Sequence, residues 1–69
     1  ASAPAAAAAY WRALLAAVRA ALDRGDLGTQ PPPTLDGIDP AFTASPLHAL
    51  NWQRAWRQEE SRWLQRSLR

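Results

Sequence analysis

Backbone breakers cut this chain into two long uninterrupted stretches and a middle. All three glycines and five of the six prolines fall between positions 25 and 46, so residues 5–24 and 47–69 contain neither. Glycine costs about 1 kcal/mol and proline about 3 kcal/mol in a helix interior, so stretches of about 20 residues lacking both, and rich in Ala, Leu, Arg and Gln, favour helix. The expected fold class is therefore all-α. It is a two-helix hairpin, helices 5–24 and 46–68, with a long proline-rich crossing segment packing back on the helices.

Apolar spacing supports both helices. Trp11, Leu14, Leu15, Val18 and Leu22 stand at i, i+3, i+4, i+7 and i+11, which places them on one face, widened by Tyr10, Ala17 and Ala21. Arg12, Ala16, Arg19 and Asp23 take the opposite face, with Arg19 and Asp23 spaced to pair. Gly25 is the stop signal, and Leu27 is placed to fold back on the last turn. Ser45-Pro46 restarts the helix as N-cap and first residue.

The second helix carries two stripes. Ala49, Trp52, Trp56, Glu59 and Trp63 recur at alternating spacings of 3 and 4, as do Leu47, Leu50, Arg54, Arg57, Ser61, Leu64 and Leu68, displaced around the helix. One stripe is aromatic; the other has leucines at both ends and polar residues in the middle. Packing against the first helix uses one stripe, so the other is expected to face something else.

The middle, residues 29–45, has no helical period. Pro31, Pro32 and Pro33 favour polyproline II, Asp36-Gly37 is a turn, and Asp39-Pro40 reads as an N-cap followed by a short helical turn. A connection of this length exceeds the roughly 2 to 8 residues usual between helices of a bundle. Two reasons are open. The proline rings can lie along the helices against tryptophan and add core, or the run can serve as ligand for an SH3- or WW-type groove. Leu35, Ile38 and Phe42 are the apolar residues available to pin the segment down.

The core is thin. Hydrophobic residues are 48% of the chain, but 16 of them are alanine, leaving 17 large apolar side chains in 69 residues. A domain of this size rarely gains more than about 3–5 kcal/mol from its core without a disulfide, a metal or a partner. There is no cysteine to supply a staple or a thiolate metal site. A partner is the remaining route. The residues expected in the core are Trp11, Leu14, Leu15, Val18, Leu22, Phe42 and Leu50, with Trp56 and Trp63 divided between core and partner surface.

Catalysis has little to work with. Lysine is absent, and the single histidine, His48, has no His-x-x-x-His or Glu-x-x-His companion, so no catalytic, cofactor-binding or metal-ligating residues are assigned. Glu59 and Glu60 are neighbours pointing about 100° apart on a helix, suited to ion pairs with Arg54, Arg62 or Arg66 and not to an acid–base dyad. Neither a small-molecule substrate nor a cofactor is expected. Arg54, Arg57, Arg62, Arg66 and Arg69 are interleaved with tryptophans, as in some nucleic-acid binders, but they split between two sectors around two central glutamates. With a net charge of only +2, nucleic acid is not the expected partner.

Arg12 and Arg19 interrupt the apolar run of the first helix, so a transmembrane span is not expected. The tryptophans and arginines of the second helix leave an alternative: a cationic amphipathic peptide lying on a membrane surface, of the bacteriocin kind. The chain has no methionine and opens on an Ala/Pro tract, so residues 1–4 read as a linker or processed N-terminus and residues 5–69 as one small helical module. Abundant Ala, Arg and Pro beside absent Lys fit a GC-rich, bacterial coding sequence.

The favoured function is a helical protein–protein interaction module. Tryptophan and arginine are enriched at binding hot spots, so Trp52, Trp56, Trp63, Arg62 and Arg66 are the expected partner-binding residues, facing another protein or a second copy of the chain. The Ala/Pro tract of residues 1–9 followed by helix, loop and helix, with no catalytic constellation, resembles the terminal docking segments of modular polyketide and nonribosomal peptide synthetases. That resemblance implies recognition of a cognate polypeptide terminus, so that carrier-bound intermediates pass in the correct order, with no cofactor. A cytoplasmic location goes with this reading and a secreted mature peptide with the membrane alternative.

Overall fold

A computed structural model describes residues 3–26, 28 and 30–68. Leu27 and Arg69, and the first two residues of the expected linker, lie outside the described residues. Three helices follow in order: α1 (Ala3–Asp23), α2 (Pro40–Thr43) and α3 (Pro46–Ser67). The described residues contain no strand, so the chain is all-α.

Local chemistry sets the ends of each helix. α1 begins at Ala3, earlier than the expected start at residue 5. It takes Pro4 into its first turn, where the missing proline N–H leaves no bond unmade. At the other end Gly25 adopts φ 81°, its N–H donates to the Leu22 carbonyl and that of Asp26 to the Ala21 carbonyl. This is the paired closure that a left-handed glycine permits. The Asp39 carboxylate accepts from the Ala41 N–H at 2.9 Å to cap α2, and the Ser45 hydroxyl accepts from the His48 N–H at 3.3 Å to cap α3.

The chain does not form the expected hairpin. Tyr10 of α1 bonds His48 of α3, Arg19 bonds Glu59, and Asp23 shares a cleft with Ser67, so partner positions rise together along both helices. α1 and α3 are parallel. A parallel pair requires the chain to travel back along the first helix from its end to the level of Tyr10, about 20 Å at 1.5 Å per residue. That return accounts for the long connection. Gly28 lies against Trp56, the Pro33 carbonyl reaches His48 further back, and Phe42 then packs edge-on to Tyr10 at 5.3 Å between ring centroids. The proline stretch, suited to about 3.1 Å per residue, covers part of that distance without helix.

Tyr10, Leu14, Val18, Ala21 and Leu22 of α1 and Trp52, Ala55 and Trp56 of α3 form the buried core. Trp11, Leu15, Leu35, Ile38, Phe42 and Trp63 are partly buried at its margin. Leu50 does not belong to the core: it is 43% exposed. At 100° per residue it points away from Ala55 and Glu59, which face α1.

Gly28 is where the returning backbone comes nearest an indole: a Cβ there would stand 2.7 Å from Trp56 Nε1. Gly28→Ala is expected to lower stability by about 1–3 kcal/mol, the range for overpacking a filled site. Urea unfolding followed by circular dichroism measures this, with Gln30→Ala, at an exposed position, expected to leave the midpoint unchanged.

Candidate interaction surface

The aromatic stripe of α3 is turned inward. Trp52 and Trp56 are 4% and 5% exposed, with ring centroids 5.8 Å apart and planes tilted by 52°. Trp56 Nε1 donates to Glu60 Oε2 at 3.2 Å. Trp52 Nε1 is buried and has no hydrogen-bond partner among the described residues, a defect worth about 1–3 kcal/mol that ring burial outweighs. The assignment of Trp52 and Trp56 to a partner surface is therefore corrected: both are core. Beyond Tyr10 the buried face of α1 is built from Leu, Val and Ala, and filling the space between two helices and a returning segment takes large rings on the opposite side.

Trp63, Arg62 and Arg66 lie beyond the last core layer. Trp63 is partly buried, and both arginines are exposed. Arg62 and Arg66 line a cleft of about 300 Å³ with Arg19, Glu59 and Gln65. Arg66 and Trp63 line a second, of similar volume, with Arg19, Asp23 and Ser67. Three of the five expected residues thus gather at the C-terminal ends of both long helices, where cations suit the helix dipole.

Glu59 anchors that end. It is 1% exposed and accepts from Arg19 Nε at 3.1 Å and Nη2 at 3.5 Å. The expected pairing of Glu59 within its own helix, and of Arg19 with Asp23, gives way to this bridge between helices. A buried carboxylate needs a facing cation, and across the interface Arg19 is the one in reach.

The other end is held by hydrogen bonds around a buried imidazole. His48 has 0% exposure. The Pro33 carbonyl only accepts, so at 3.1 Å His48 Nε2 donates to it, and Nδ1 is hydrogen-bonded to the Tyr10 hydroxyl at 2.8 Å. Asn51 Nδ2 donates in turn to the Tyr10 oxygen at 3.3 Å. Both ring nitrogens are committed to structure. Sequence reading passed over this joint; the available signal was that His48, Asn51 and Ala55 share the helix side that also carries Trp52.

The stripe facing solvent is the leucine one. Leu47, Leu50, Leu64 and Leu68 are 55%, 43%, 46% and 84% exposed, and Arg54, Arg57 and Ser61 between them are exposed too. The strip runs about 32 Å along α3, opposite its buried side. A separate, more apolar groove of about 420 Å³ opens near the start of α1, lined by Ala7, Trp11, Ile38 and Phe42 among others.

By length and composition α1 is also able to cross a membrane. Arg12 and Arg19 alone therefore do not exclude a span, because the surrounding alanines and leucines offset two charges. The same residues, Tyr10, Leu14, Val18 and Leu22, pack on α3 here, as a core helix would. Among the described residues no group of three His, Cys, Asp or Glu side chains could hold a metal ion. No protein-family model matches the chain, and neither a curated protein nor a solved structure does.

Two substitutions test the roles of these residues. Trp56→Ala is expected to cost about 3–5 kcal/mol, enough to abolish the cooperative melt of so small a domain; an unchanged melt would return the residue to the surface. Arg19→Ala, which strands the buried carboxylate, should cost about 2 kcal/mol by chemical denaturation. Combining it with Glu59→Leu should recover most of that loss.

Proposed function

We propose that this chain is a non-catalytic helical docking module that binds a protein partner through the outward face of α3. One observation carries the reading: in a chain with 17 large apolar side chains, four leucines stand exposed in a single strip opposite the core. Isolated exposed leucines need no explanation, but a strip of constant helical period is the pattern of a helix that packs on another surface. The surface differs from the tryptophan face first expected, since those rings fill the core. Arg62, Trp63 and Arg66 form a second region at the C-terminal end of α3, on its α1-facing side and apart from the strip. A cytoplasmic setting, and a cognate polypeptide terminus as partner, belong to the reading through the resemblance to synthetase docking segments.

The burial of Trp52 and Trp56 weighs against the membrane-surface alternative, which needs aromatic anchors at the headgroup boundary. Replacing Leu47, Leu50, Leu64 and Leu68 together by Gln is expected to leave helix content and the melt of the dilute chain nearly unchanged, within about 0.5 kcal/mol per site. Co-sedimentation with anionic vesicles at physiological salt should leave the chain in the supernatant. Unfolding of the fourfold variant would make the strip structural, and pelleting with vesicles would make it a lipid contact; either overturns the docking role.

A further inference from the structure

We infer that the outward face of α3 is occupied by the same face of a second copy of the chain, running antiparallel. This inference rests on the docking reading above and names its partner. The strip reads Leu47, Leu50, Arg54, Arg57, Ser61, Leu64, Leu68, with apolar pairs at both ends and a polar centre. Such a strip is self-complementary about a two-fold axis through its middle, near Arg57 and Gln58, which is the condition for a closed, isologous dimer. The Leu47 and Leu50 pair of one copy then meets the Leu64 and Leu68 pair of the other at each end.

Charge selects the antiparallel orientation. In a parallel pair each residue of the strip faces itself, so Arg54 stacks on Arg54 and Arg57 on Arg57, two layers of like charge in succession. Reversing one copy moves Arg54 opposite Ser61 and leaves only the Arg57 pair near the axis. One of the two like-charge layers is thereby removed, and the dipoles of the two α3 helices oppose each other. A parallel dimer has neither advantage.

Four partly exposed leucines per copy make a small interface, so association is expected in the range of tens to hundreds of micromolar, as for interfaces at the low end of area. Sedimentation equilibrium of the full chain should show a mass rising from 7.6 kDa towards twice that value across this range. Leu64→Arg should weaken the dimer by about tenfold or more, by placing an unpaired charge among the leucines. Orientation is read by disulfide trapping, since the chain has no cysteine of its own.

In the antiparallel dimer Arg57→Cys links to itself. Leu64→Cys does not, because the two copies of position 64 lie about 20 Å apart along the axis. Leu64→Cys mixed with Leu50→Cys does link. Efficient self-linking of Leu64→Cys would overturn the antiparallel arrangement. A monomer at every concentration, with the fourfold Gln variant still folded and vesicles still unbound, would overturn the second copy as partner while the docking role stands. Pelleting with vesicles would overturn both.

Discussion

The hydrogen bonds around His48 tie together three parts of the chain that are distant in sequence. Tyr10 comes from the first helix, Pro33 from the returning segment and His48 from the start of the third helix, with Asn51 closing the set. Each buried polar atom in the chain of bonds from Pro33 to Asn51 has a partner, so the cost of removing these groups from water is offset where they meet. The joint also sets where α3 starts, level with the first half of α1; with Glu59 level with Arg19, the two helices run the same way.

A second joint at the far end fixes the register. Arg19 and Glu59 meet eleven residues beyond His48 on α3 and nine beyond Tyr10 on α1. Between the two joints lie Leu14 and Val18 on one side and Trp52, Ala55 and Trp56 on the other. The arrangement buries six of the 17 large apolar side chains at one interface and half-buries six more at its margin, and the glycine at position 28 lets the returning backbone lie directly on Trp56. A core this small tolerates no empty layer, which is why both central tryptophans are inside.

What remains outside is then informative. The leucine strip lies on the side of α3 that neither α1 nor the returning segment covers, and its exposure persists although the domain is short of apolar surface. Placing four leucines in water while importing tryptophans into the core is an expensive distribution for a self-sufficient monomer. It is a consistent one for a module completed by association. The arginines at the C-terminal ends of the helices lie on the other, α1-facing side of α3, in the place the helix dipoles favour.

Much of the local structure was legible in the sequence. Gly25, Asp39, Ser45 and Pro46 each act on their own neighbours through backbone geometry or a side-chain cap, and the period of Leu14, Val18 and Leu22 identifies a buried face without reference to any partner. The sequence also showed two stripes on α3, one of them surplus. Which stripe was surplus was not legible, because helical period records only that residues share a side; Leu50 and Trp52 have equal claim to a core until the shape of the opposing helix is known. The direction of α3, the partner of Glu59 and the burial of His48 were likewise decided only by tertiary structure. Each depends on groups some 40 residues apart meeting in space, and such meetings leave no trace in local spacing.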